Sequence, residues 1–141
     1  MIPPGRDLLA GKVVVVTAAA GTGIGSAVAG RCLAEGAQVV ISDRHERRLA
    51  AGRDELARTH GDRVWAQACD VTDETQVGAL VGAAVSRFGR IDVLVNNAGL
   101  GGTSSVLDMT DEQWLAVLDV TLTGTFRCTR AARASPAPTR C

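Results

Sequence analysis

The sequence has no excess of charge of either sign: 15 Lys and Arg stand against 15 Asp and Glu in 141 residues. No bulk field draws the chain to nucleic acid or to an anionic membrane, and neither is an expected partner. The basic residues other than Lys12 are all arginines, and they are scattered. The four cysteines, Cys32, Cys69, Cys128 and Cys141, show no C-x-x-C or metal-ligand spacing, so no metal is expected. The first three fall in apolar patterns and read as free thiols buried in a reducing compartment. The N-terminal MIPPGRDLLAGK lacks the basic stretch and apolar run of a secretory leader. The uncharged run at residues 13–30 is interrupted too often by Gly, Ser and Thr to span a bilayer. A soluble cytoplasmic protein of one domain at most is the expectation. Tyrosine is absent altogether.

What is present is organised around VVVVTAAAGTGIG, residues 13–25. Four β-branched residues followed by small residues and glycines read as a buried parallel strand turning sharply into a helix. Gly21, Gly23 and Gly25 let a ligand approach the main chain, and a helix starting near Ile24 aims free N–H groups at the same point. A seat for a dinucleotide pyrophosphate is the functional reading; a Gly-rich turn made for packing is the alternative.

Alternation continues down the chain. Strands are expected at Val13–Thr17, Gln38–Ser42, Arg63–Cys69 and Ile91–Val95, and helices at Ile24–Glu35, Glu46–Thr59 and Asp73–Phe88. Residues 1–12 form a lead-in with Leu8 and Leu9 tucked against the sheet. Thr110 and Gln113 fit a capping box that opens a further long helix. Such βαβ units predict an α/β, Rossmann-type doubly wound parallel sheet of strand order 3-2-1-4. Its ligand crevice would lie at the carboxyl ends of strands one and four, where the Gly-rich loops 18–25 and 96–102 fall.

Three further features collect there. Asp43, at the end of the second strand, can accept both hydroxyls of an adenosine ribose and would repel a 2′-phosphate, favouring NAD over NADP. Arg44, Arg47 and Arg48 oppose that preference, and an ordinary helix-capping Asp is the alternative. Asp70 ends the third strand, where a carboxylate can take the adenine amino hydrogen while Val71 offers its backbone; a plain Asp at a helix start is the alternative. Asn96 and Asn97 can tie neighbouring loops by side-chain to backbone bonds, with Ala98 and Gly99 leaving room for a flat ring or ribose, though turn chemistry also accounts for an NAG sequence.

In this order the features resemble the short-chain dehydrogenase/reductase family over residues 8–133. The resemblance implies a domain, residues 1–133, that binds a nicotinamide dinucleotide. The backbone of Gly21, Thr22, Gly23 and Ile24 would hold pyrophosphate, Asp43 the ribose, Asp70 and Val71 adenine, and Asn97, Ala98 and Gly99 the rest of the adenosine side. It also implies hydride transfer between the nicotinamide and an alcohol/ketone pair, and oligomers built on long helices. The TAAAGTGIG and NNAGLGG loops are similar to bacterial members associated with steroid or lipid breakdown.

The sequence departs from the family pattern in four places. Ala18 stands where the first loop glycine is usual, with one extra residue before Gly23. Thr121 takes the place of an Asn that joins the catalytic proton relay. The family's catalytic Tyr-x-x-x-Lys cannot be met by a chain without tyrosine whose one lysine is Lys12. From Ala134 the sequence turns to ASPAPTRC, read as a non-homologous tail at residues 134–141 left by a frameshift or early stop, or else as a divergent one. The expectation is thus the cofactor-binding half of a dehydrogenase, with the fourth strand left as an open apolar edge. A binding module without catalysis, or a non-functional product, is the alternative. The small-molecule substrate would belong to a longer form.

Overall fold

A computed structural model describes residues 3–102 and 104–135. Four short apolar runs form the strands β1 (Val13–Val16), β2 (Gln38–Asp43), β3 (Val64–Ala68) and β4 (Val93–Val95). They pair in parallel in the order β3-β2-β1-β4, with Val14 opposite Val39 on one side and Val93 on the other. Between them lie α1 (Ile24–Ala34), α2 (Glu46–His60) and α3 (Glu74–Phe88). This is the expected α/β doubly wound arrangement.

The run of valines is explained by burial on both faces. Val14, Val16, Val39 and Ile41 point into one core with Leu33 of α1 and Leu49 of α2. Val15 and Val40 point into the other, with Val77, Leu80 and Ala84 of α3. Each such side chain contributes about 1.5–3 kcal/mol by leaving water, which fixes the strand register, since a one-residue slip would reverse the faces. Helix ends follow local chemistry. Gly36 and Gly89, at φ +90° and +81°, take the left-handed conformations that end α1 and α3. The side chain of Asp73 caps α3 by accepting the Gln76 N–H.

The structure corrects several expected boundaries. A single 3₁₀ turn, Gly61–Arg63, precedes β3, because Arg63 turns back to donate to the Leu33 and Ala37 carbonyls. β4 starts at Val93: the residue before it, Asp92, clasps Val13 by accepting its N–H on Oδ2 and donating its own N–H to the Val13 carbonyl, both at 2.9 Å. Leu9 packs against the core as expected, but Leu8 is exposed. The expected long helix runs through Asp111–Ala134 and carries a π turn within it. Thr110 and Gln113 form the capping box that opens α4 (Asp111–Leu118), a π turn covers Asp119–Thr123, and α5 (Gly124–Ala134) follows. β4 is an edge strand with Val93 38% exposed. Residues 136–141, most of the expected tail, lie outside the described residues.

Candidate functional site

The carboxyl ends of all four strands meet on one side of the sheet, and the two Gly-rich loops are stitched together there. The centre of the stitching is Thr17, fully buried just beyond β1. Its hydroxyl donates to the Val95 carbonyl at 3.3 Å and accepts the N–H groups of Asn97 and Ala98, each at 3.0 Å. Asn97 returns the connection. Its Nδ2 donates to the carbonyls of Thr17 and Ala18 at 3.2 and 3.0 Å. The loop-tying role expected of the asparagines is thus carried by Asn97, whereas Asn96 reaches Thr129 on α5. Thr17 was not among the expected site residues. Its partners lie 78 to 81 positions away, and no local pattern reports them.

Ala18 shows how the loop accommodates its missing glycine. It holds φ +50°, a conformation that costs an alanine about 1 kcal/mol. Gly21 follows at φ +86°, and Gly23 stands as the N-cap of α1 with no side chain to satisfy the helix's first N–H groups. Nothing lies within 4 Å of where a Cβ would stand on Gly21 or Gly23, so the space above both is open to a ligand. Gly25 serves packing instead: a Cβ there would sit 2.4 Å from the Ala18 carbonyl oxygen and 2.6 Å from Asn97 Nδ2. Ile24, the first residue of α1, is 76% exposed.

Beside the loops is a cavity of about 210 Å³ whose wall includes Ala18, Asp43, Asp70, Val71, Ala98 and Gly99. Four stretches that the sequence places far apart are therefore brought together. Gly21, Thr22, Gly23 and Ile24 do not line this cavity; they lie on the loop and helix start that continue from Ala18. Arg44, His45, Arg48, Cys69, Leu100 and Val120 complete the wall. Asp43 is fixed by two main-chain donors, Ala20 N–H at 3.3 Å and His45 N–H at 3.0 Å. Asp70 accepts the Thr72 N–H and hydroxyl on Oδ1. Those two bonds, aided by the positive charges of Arg44 and Arg127, outweigh burial and hold its carboxyl below the usual range. Burial, with Cys128 and Asp70 nearby, pushes the Cys69 thiol up to about 12, so it stays protonated and is no nucleophile at neutral pH.

Thr121 lies in the π turn, and its hydroxyl accepts the Leu100 N–H at 3.2 Å, tying the helix to the loop after β4. A Gly-rich turn opening onto an uncapped helix N-terminus, with two carboxylates at the ends of the next strands, suits a dinucleotide: amides for pyrophosphate and acceptors for ribose and base.

Comparison with known proteins agrees with that geometry. Residues 12–135 match the short chain dehydrogenase family. The chain belongs to the short-chain dehydrogenases. Across 128 residues it is 63% identical to (5R,7aS)-5-hydroxy-7a-methyl-1-oxo-2,3,5,6,7,7a-hexahydro-1H-indene-carboxyl-CoA reductase of Mycobacterium tuberculosis, covering 91% of this chain and 49% of that one. A short chain dehydrogenase from Mycobacterium smegmatis superposes with a TM-score of 0.90 at 61% identity, over 94% of this chain and 54% of that one. Actinorhodin polyketide ketoreductase, solved with NADPH, superposes with a TM-score of 0.82 at 40% identity, over 87% and 46%. The chain thus spans about half the length of the relatives it matches. Nicotinamide dinucleotides are the cofactors of this family, and these dehydrogenases are oxidoreductases. Among the described residues no helix is long and apolar enough to cross a membrane.

Proposed function

We infer that the chain is the cofactor-binding half of a short-chain dehydrogenase/reductase. The observation that carries this is the joining of both Gly-rich loops by Thr17 and Asn97 beside a cavity walled by Asp43 and Asp70. In this reading the main chain of Gly21, Thr22, Gly23 and Ile24 holds pyrophosphate, and Asp43 accepts the adenosine ribose hydroxyls. The oxygen of Asp70 not used by Thr72 accepts from the adenine amino group, Val71 offers its backbone, and Asn97, Ala98 and Gly99 hold the rest of the adenosine side. The bound nicotinamide supplies hydride chemistry. NAD is the favoured form, because a 2′-phosphate would be brought against the Asp43 carboxylate. NADP is the second reading, favoured by Arg44 and Arg48 in the same wall.

The complete reaction is hydride transfer to the carbon of a ketone, with a polycyclic or lipid-derived carbonyl compound as substrate. Support for the substrate class comes from the hexahydroindene-carboxyl-CoA reductase, 63% identical over the shared residues. Tyrosine is absent from the 141 residues, so the family's usual proton donor must lie outside them, and this stretch binds cofactor without turning over an alcohol. We place the protein in the cytoplasm, where the dinucleotide is found, with a second copy of the chain as the expected partner. Titration with NADH, followed by nicotinamide fluorescence, tests the assignment. Saturable enhancement lost in Asp43→Ala and Gly23→Val is the expected result; identical curves for the parent and both variants would remove these residues from the site.

A further inference from the structure

The helical segment beside the cavity carries a π turn, Asp119–Thr123, where it meets the cavity wall. A π turn holds one residue more than an α turn, so side chains beyond it fall roughly 100° behind the positions an unbroken α-helix would give them. Within the turn, Val120 forms part of the cavity wall, and Thr121 takes the Leu100 N–H. Just after it, Gly124 lies so close to Val71 that a Cβ would stand 2.7 Å from Val71 Cγ2. One turn later Arg127 reaches back. Its Nη1 donates to Asp119 Oδ1 at 2.8 Å and to the Val71 carbonyl at 3.3 Å. The pair therefore spans the π turn and ends on the loop after β3.

The Val71–Thr72 peptide is held at both ends by this arrangement. Its carbonyl accepts from Arg127, and its N–H donates to Asp70 Oδ1 at 2.9 Å. Asp119 is 43% exposed and Arg127 19%, so the ion pair as such adds little to stability. Its consequence is geometric: the guanidinium couples the position of the helix to Val71 and Asp70 in the cavity wall. We propose that Arg127 and Asp119 are positioning residues that set Val71 and Asp70 against adenine, and so determine recognition of the base without touching it. The proposal rests on the dinucleotide reading above.

The test compares 5′-AMP with 5′-IMP, which has a carbonyl where adenine has its amino group, by calorimetric titration of the 141-residue chain. A site that accepts a hydrogen from the amino group rejects the analogue lacking it. The parent chain is expected to favour AMP about tenfold or more, and Arg127→Gln to weaken AMP about tenfold while leaving IMP nearly unchanged, so that the preference collapses. Arg127→Lys, which keeps the charge but reaches only one acceptor, should restore part of the preference. Asp119→Asn, which removes the anchor alone, should lose about threefold in AMP affinity. A purely structural role would weaken both nucleotides alike and leave their ratio intact, and that result overturns the proposal. Parental AMP affinity in both Arg127→Gln and Asp119→Asn also overturns it, leaving the dinucleotide reading standing. Failure of the folded parent to bind either nucleotide, or equal affinity for the two, overturns that reading as well.

Discussion

Replacing Thr17 by valine keeps the shape of the side chain and removes one oxygen. That oxygen takes the N–H groups of Asn97 and Ala98 and gives its proton to the Val95 carbonyl, in a position screened from water. The Asn97 N–H keeps its second acceptor, the Val95 carbonyl at 3.0 Å, so the change leaves one buried N–H, that of Ala98, without a partner, at a cost of about 1–3 kcal/mol. For a domain of this size that is a fall of about 3–12 °C in melting temperature, a sizeable share of a typical total stability. The join between the loops should also loosen, since it then rests on the bonds from Asn97 Nδ2 to the Thr17 and Ala18 carbonyls. Thr17→Val is expected to weaken NADH binding, whereas Thr17→Ser, which keeps the oxygen, should remain within about 1 kcal/mol of the parent. Denaturant unfolding and NADH titration of the three proteins measure both effects. A valine variant as stable and as tight-binding as the parent would refute the reasoning, since the hydroxyl would then hold nothing.

Ala18→Gly should leave stability within about 0.5 kcal/mol, because release of the φ +50° strain offsets the greater freedom of glycine in the unfolded chain. The same change at Ala29, buried in α1, should cost about 1–2 kcal/mol; equal losses in chemical denaturation would contradict the strain at Ala18. Stability should also decline in acid in two stages. Burial, and the neighbouring Arg63, hold the pKa of His60 below its ordinary value, and its Nδ1 accepts from that guanidinium. The folded state therefore takes up this proton less readily than the unfolded chain, so stability is complete above about pH 6.5 and declines as the pH falls below it. Asp70 is held low chiefly by the Thr72 N–H. At Asp92 burial raises the value, but the Val13 N–H and Arg90 outweigh it. Both carboxylates extend the loss below about pH 4. His60→Gln should flatten the first stage of a melting-temperature profile and leave the second; an unchanged first stage would remove His60 as its cause.

Much of the arrangement can be read from residues alone because local and global demands agree. Val13–Val16 is uniformly apolar since both faces of β1 are covered, and right-handed crossovers then leave few strand orders open. The glycine loop, Asp43, Asp70 and the Asn-Asn-Ala-Gly turn are legible because each sits at or just beyond the end of a strand, where the chain must change direction. What could not be read depends on partners remote in sequence. Helical periodicity runs without a break through WLAVLDVTLTGTFRC, and nothing in it announces a π turn. The turn coincides with the bond from Leu100 to Thr121 and the contact of Gly124 with Val71, both tertiary. The Thr17 hydroxyl and Arg127 were passed over for the same reason: their bonds cross 78–81 and 56 positions.

In the proposed function the two Gly-rich loops and the ends of β2 and β3 form one adenine dinucleotide site. Amide resonances of the nitrogen-labelled chain, recorded as NAD is added, test it residue by residue. Saturable shifts are expected at Gly21–Gly25, Asp43–His45, Asp70–Thr72 and Asn97–Gly99, with α3 and the outer edge of β3 unmoved. Shifts confined to one of these segments, or centred elsewhere on the sheet, would contradict it.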